Sequence, residues 1–189
     1  ITERASKSKW KLGKGVIIPR KGVMELKKLF DSYEGDFSFR VDEKNLSVEK
    51  ENVQLVIRLI EGQFPPYEQV IPQGGKKIAT VDKECFVKAL RRVSLMSSDK
   101  TKGVKFSLSP GHIEISTSNP DFGEAREDLE AQYKGETFSI GFNARYFLDI
   151  LNVIEDEKVV LELKDDVSPC LIRSEFDKGL LNVVMPMRM

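Results

Sequence analysis

A single histidine, His112, and two cysteines, Cys85 and Cys170, are the chain's whole supply of imidazole and thiol. Nucleophilic catalysis needs a nucleophile beside a base that a third group orients. His112 follows Gly111 in an expected hairpin, and no serine, cysteine or acid around it forms a recognisable triad. The cysteines lie far apart and lack metal-ligand spacing, so both are expected as reduced thiols. There is no glycine-rich phosphate loop and no cluster of metal ligands, so neither a cofactor nor a metal is expected. The carboxylates are numerous but dispersed, which leaves acid–base chemistry open. The pattern points to binding rather than catalysis.

Two kinds of binding chemistry stand out. The first is basic: Lys88, Arg91 and Arg92 share one face of an expected helix, and Arg20, Lys21 and Lys28 accompany another. Lys+Arg and Asp+Glu are 30 each, so the net charge is zero, and attraction for nucleic acid would require charge sorted between faces. Asp121, Glu124, Glu127, Asp128 and Glu130 gather acid elsewhere. A solvated helix face is the alternative reading of the basic stripes. The stretch Arg4–Lys14, with Trp10 among lysines, reads either as a stacking and phosphate site or as an alternating strand. The second chemistry is apolar: Val183, Val184 and Met185 followed by Pro186, Met187 and Arg188. It suits either an edge or core strand, or the adaptable wall of a peptide cleft.

The elements that must position these residues recur. An apolar segment at Val16–Ile18 precedes a helix over Gly22–Asp31, with Val23, Leu26 and Leu29 inward; strands follow at Phe37–Val41, Leu46–Val48 and Val53–Ile57. The order returns with a strand at Lys77–Val81, a helix capped by Asp82 and running to about Ser97, and strands at Val104–Leu108, His112–Ser118 and Ala125–Tyr133. It returns again with Thr137–Gly141, a helix capped by Asn143 and reaching Ile154, and strands at Lys158–Leu163, Ser168–Arg173 and Leu180–Met185. Three tandem β-α-β-β-β repeats imply an α+β fold. Hydrophobic residues at 40% and charged residues at 32% fit a globular chain. No apolar run is long enough for a bilayer span and no leader peptide is expected; with both cysteines expected reduced, a cytoplasmic protein is the expectation.

Several dispersed segments carry a resemblance. They are Val16–Val23 (VIIPRKGV), Glu61–Tyr67 (EGQFPPY), Ile140–Asp149 (IGFNARYFLD) and the terminal Asn182–Met189 (NVVMPMRM). In this order and spacing the chain resembles the bacterial DNA sliding clamps, the β subunit of the replicative DNA polymerase, from about Val16 onward. The resemblance implies the DNA-clamp fold, with helices on one face and antiparallel sheets on the other, and a head-to-tail homodimeric ring that encircles double-stranded DNA without reading sequence. Residues 1–72 would be the second half of the middle clamp domain and 73–189 the whole third domain. On that reading the first domain and part of the second are missing, and the chain alone does not close a ring. Lys88, Arg91 and Arg92, with Arg20, Lys21 and Lys28, would face the DNA. Leu95 and Met96, with Asp121, Glu124 and Glu127, would meet the neighbouring protomer.

The same resemblance implies a cleft for short Leu- and Phe-bearing motifs of the replicative polymerase, the clamp loader and repair polymerases. Its walls would be Pro65, Val70, Asn143, Tyr146, Val167, Pro169, Val183, Val184, Met185, Pro186, Met187 and Arg188. Gln69, Pro169 and Met189 depart from the residues commonest in that family, which bears on partner preference. An interaction module unrelated to replication, using the same apolar terminal strand, is the other reading of the residues.

Overall fold

The computed structural model describes residues 15–64, 66–72, 74, 77–98, 101–174, 176–177 and 179–188. Pro65, Met189 and the Arg4–Lys14 stretch singled out above lie outside the described residues. The chain divides into two compact units, Lys7–Tyr67 and Glu68–Met189.

In the first unit, helix α1 (Arg20–Ser32) is followed by strands β1 (Ser38–Val41), β2 (Asn45–Lys50) and β3 (Val53–Arg58), which form an antiparallel sheet in the order β1-β2-β3. The polar segment expected as a turn is one: the Asp42 carboxylate accepts from the N–H groups of Lys44 (2.8 Å) and Asn45 (2.7 Å). Among the described residues Val16–Ile18 makes a single bridge, Ile17 to Ile60. Leu26 and Leu29 are buried as expected, but Val23 is not; it is 50% exposed. The face α1 lays on its sheet runs through Gly22, Leu26 and Leu29, at spacings of four and three residues. Gly22 sets that contact, because a Cβ there would stand 2.5 Å from the Ile57 side chain. Only glycine lets the helix approach this closely.

The second unit holds β4 (Lys77–Asp82), α2 (Lys83–Leu95), β5 (Gly103–Ser109), β6 (His112–Asn119) and β7 (Gly123–Gln132). A second run follows as β8 (Phe138–Asn143), α3 (Ala144–Leu151), β9 (Lys158–Leu163), β10 (Cys170–Ser174) and β11 (Leu181–Val184). Asp82 and Asn143 cap α2 and α3, accepting from Cys85 N–H at 2.8 Å and Arg145 N–H at 2.9 Å. Both helices end earlier than their apolar periodicity suggests. The Ser97 hydroxyl donates to Ser94 O and the Met96 N–H to Val93 O, which closes α2 at Leu95. In α3 the Val153 N–H turns back to Ile150 O, three residues away, and tightens the last turn.

The eight strands form one antiparallel sheet in the order β11-β10-β9-β4-β7-β6-β5-β8. The strand before each helix pairs with the first strand after the other helix: β4 with β9, and β8 with β5. Each repeat thus completes the other. Helices α2 and α3 pack against each other on one face. Beneath them lie Phe86, Phe106, Phe142 and Phe147, all fully buried, in edge-on and tilted contacts with centroids 4.9 to 6.1 Å apart.

A third relation repeats along the chain. The residue two before each helix cap joins the end of its own repeat: Ile17 O accepts from Ile60 N–H, Thr80 pairs with Gln132, and Gly141 O accepts from Met187 N–H at 2.9 Å. The last of these holds the C-terminal residues against β8.

Candidate peptide cleft and basic helix face

Where α3 meets β11, six residues line an open pocket of about 370 Å³: Tyr146, Asp149, Ile150, Val183, Val184 and Met185. The local reasons are simple. Asn143 starts α3, so Tyr146 and Ile150 fall one turn apart on the same face. Leu171 opposite Val183 and Cys170 opposite Val184 fix the register of β11, whose alternation sends Val184 into the core. Met185 follows at 58% exposure, and Tyr146 is 57% exposed. Apolar surface dominates the lining, with the Asp149 carboxylate as its one charge. Such a site suits aliphatic and aromatic anchors.

Of the expected cleft residues, Tyr146, Val183, Val184 and Met185 line this pocket together. Asn143 does not: its amide caps α3 and donates to Thr101 O at 2.9 Å, so both ends are committed. Val167 is exposed in the β9–β10 loop, where the Asp165 carboxylate accepts from the N–H groups of Val167 and Ser168. Those bonds hold Asp165 below the usual carboxylate range, with the interaction with Ser168 the largest contribution. Continuing the β10–β11 register by one residue sets Pro169 across from Met185. Val70 ends a short 3-10 turn, Tyr67–Val70, and is exposed; Pro186 and Met187 are half-buried and Arg188 exposed, and none of these lines the pocket. Asp149 and Ile150 were missed by sequence reading. Their helical spacing from Tyr146, three and four residues, was the available signal.

Lys88, Arg91 and Arg92 all lie on the exposed face of α2, opposite Phe86, Ala89, Leu90 and Val93. Two of the three already face carboxylates. Lys88 Nζ stands 2.5 Å from Glu84, and Arg92 grips Glu127 of β7 with two bonds, 2.6 and 3.0 Å. The hydrogen bond from Arg92 holds Glu127 below the ordinary carboxylate range. Arg91 is in no ion pair among the described residues. Arg20, Lys21 and Lys28 are exposed on α1, and Lys28 pairs with Glu25 at 2.9 Å.

The residues expected at a protomer interface gather around the end of α2 and the start of β7. Leu95 is 78% exposed and Met96 half-buried at the cap. Asp121 and Glu124 are exposed, Glu124 paired with Arg126, and Phe122 between them is an exposed aromatic that sequence reading missed. Strand β7 pairs with β4 only at Gln132 and Ala131, so Gly123–Glu130 carries no named strand on that side. Among the described residues that edge is open, and such an edge can accept another strand.

Cys85 also sits on the outward face of α2. Its hydrogen bond to the Asp82 carboxylate, and that group's charge, raise its thiol above the ordinary value, while burial raises Cys170 far more. Thiolate is the reactive form, so a raised pKa slows alkylation at neutral pH. Iodoacetamide should therefore modify Cys85 and spare Cys170 in the native chain. Asp82→Asn, which keeps a capping oxygen but removes the charge, should speed the reaction at Cys85 several-fold; an unchanged rate would remove Asp82 as the cause.

Comparison with known proteins places this geometry. Residues 68–188 match the model of the C-terminal domain of the DNA polymerase III beta subunit, and residues 3–66 that of its central domain. The chain belongs to the DNA polymerase III beta subunit family. It is 37% identical over 174 residues to the beta sliding clamp of Caulobacter vibrioides, covering 92% of this chain and 47% of that protein. The Haemophilus influenzae beta sliding clamp is 36% identical, with 92% and 48% covered. The chain thus spans about half the length of these relatives. Among solved structures, a Bartonella birtlesii sliding clamp bound to griselimycin superposes with a TM-score of 0.88 at 38% identity, over 94% of this chain and 48% of that one. A second clamp structure from the same species gives 0.91 at 36% identity, over 100% and 54%. The beta-subunit fold, helices on one face and antiparallel sheet on the other, is the one described above. Among the described residues no helix is long and apolar enough to cross a membrane.

Proposed function

We propose that this chain serves as the partner-docking and DNA-facing part of a sliding clamp, a processivity factor that tethers the replicative polymerase to DNA. The pocket between α3 and β11 carries the reading. It is an open, mainly apolar site with an adaptable methionine in its lining, suited to Leu and Phe anchors of the polymerase, the clamp loader and repair polymerases. On this reading Tyr146, Val183, Val184 and Met185 form the core of the cleft, and Val70, Asn143, Val167, Pro169, Pro186, Met187 and Arg188 are the further candidates that the family resemblance supplies. Residues 1–72 correspond to the second half of the middle clamp domain and 73–189 to the third domain.

In a head-to-tail homodimeric ring, α2 and α1 would turn Lys88, Arg91, Arg92, Arg20, Lys21 and Lys28 toward double-stranded DNA. The partial neutralisation by Glu84, Glu127 and Glu25 supports a role in sliding, since strong phosphate contacts would pin the ring in place. Leu95, Met96, Asp121 and Glu124 would meet the next protomer along the β7 edge. Glu127 joins them only if it leaves Arg92. The ring works by topology, in the bacterial cytoplasm at the nucleoid, and catalyses no reaction.

The test is a titration with a fluorescent peptide of the Gln-Leu-x-Leu-Phe pattern. Saturable binding, lost when the Leu and Phe anchors become alanine, supports the reading. Binding indifferent to the anchors would favour an interaction module unrelated to replication.

A further inference from the structure

The α3–β11 pocket holds one feature that its apolar chemistry does not explain, the charge of Asp149. All six lining residues belong to the unit Glu68–Met189. Helix α3 runs from Ala144 to Leu151, so Asp149 stands two residues from its end. That end is the negative pole of the helix dipole, where a carboxylate is unfavourable and a cation favourable. No basic residue occupies the last turn to offset it. Arg145 lies four residues earlier, a spacing that can bridge, but in the weaker order of cation before anion. Among the described residues Arg145 and Asp149 form no ion pair, and Asp149 is exposed. Neither the helix nor a described neighbour gains from the charge.

We propose that Asp149 sets specificity in this pocket by selecting peptides that carry a lysine or arginine beside their apolar anchor. The proposal rests on the reading of the pocket as a peptide site. While the pocket is open, water solvates the carboxylate. A peptide seated on Tyr146, Ile150 and Val183 displaces part of that water, and a carboxylate that loses water without gaining a donor is destabilised. A cationic side chain restores the lost hydrogen bonds and adds an attraction that is stronger where water is excluded. An acidic side chain in its place adds repulsion to the desolvation. The apolar lining thus supplies affinity, and Asp149 discriminates between sequences that share the same anchors. Charge complementarity names the occupant: a short peptide with a cation next to an aliphatic or aromatic residue. The pair stays near solvent, so its effect is modest and salt weakens it.

Fluorescence titration of the full 189-residue chain tests this with peptides of the Gln-Leu-x-Leu-Phe pattern. Lysine, alanine or glutamate is placed either just before the Gln or at x. At one or both positions lysine should bind about three- to tenfold tighter than alanine, and glutamate more weakly than alanine. Asp149→Asn should remove these differences. Asp128→Asn, at an exposed site on β7, should keep them, which separates Asp149 from the overall charge of the chain. Both positions are exposed, so neither change threatens folding, which far-UV circular dichroism would check. Saturable binding that is indifferent to lysine and glutamate at both positions overturns the proposal and leaves the peptide site standing. A preference that survives Asp149→Asn, or disappears with Asp128→Asn, overturns it as well. If no peptide saturates, the peptide site fails and the proposal fails with it.

Discussion

Val183→Asp is expected to cut affinity for a Leu- and Phe-bearing peptide by at least about thirtyfold, with the fold intact. Val183 lines the α3–β11 pocket from a short edge strand, and it lies outside the buried cluster that includes its neighbour Val184. The folded chain can therefore carry a charge at this position in contact with water. Binding removes that water. An apolar anchor seated against the new carboxylate strips its solvation and returns no hydrogen bond, and Asp149 across the pocket adds like charge. Losing one central apolar contact typically costs about 2 kcal/mol or more, which is the stated fold-change at 1.4 kcal/mol per factor of ten. Met185→Ala should cost less, about tenfold, because a flexible side chain at the rim is partly replaced by its neighbours. Isothermal titration at fixed ionic strength would measure both. Equal affinity for the parent and Val183→Asp would move the docking site away from this pocket.

How much of this was legible in the sequence differs by level. The repeat order was readable because turn and cap residues punctuate it: Asp42, Asp82, Pro110-Gly111 and Asn143 act locally and appear in the structure where their chemistry puts them. Helix ends were less readable, because apolar periodicity continues through Ile154 while the backbone of α3 has already tightened. Val23 was read as inward because its type and spacing fit. What decided otherwise was the close approach of Gly22 to Ile57, a property of the packed pair that no single segment carries.

The candidate site shows the same divide. Tyr146 and Val183–Met185 were found through a resemblance, while Ile150 and Asp149 needed the position of β11 beside α3. The basic stripe was read correctly as exposed, but its pairing was not. Glu84 is four residues before Lys88 and could have been expected to meet it on helical spacing. Glu127 reaches Arg92 from a different strand, and only the sheet order brings them together.

Phe106→Ala is the change expected to cost most stability. Its ring is fully buried and lies 5.6 Å from Phe86, 5.3 Å from Phe142 and 4.9 Å from Phe147, so it touches α2, β8 and α3 at once. Removing it gives up the burial of a large side chain and leaves a cavity whose walls belong to two helices and a sheet, none of which can collapse alone. Such truncations cost about 3–5 kcal/mol. Whole domains of this size are stable by only about 5–15 kcal/mol, so the loss is a large fraction of the total. Urea denaturation should show a lower midpoint with little change in slope, and Phe176→Ala, at a 78% exposed position, should stay within about 0.5 kcal/mol of the parent. The consequence reaches the cleft through one step of chain. Phe147 packs on Phe106 and is the residue after Tyr146, so loosening its anchorage frees the α3 wall of the pocket. Peptide affinity should fall with stability in Phe106→Ala, whereas Val183→Asp lowers affinity alone. If Phe106→Ala costs under about 1 kcal/mol, the four-ring cluster is not what holds α2 and α3 on the sheet.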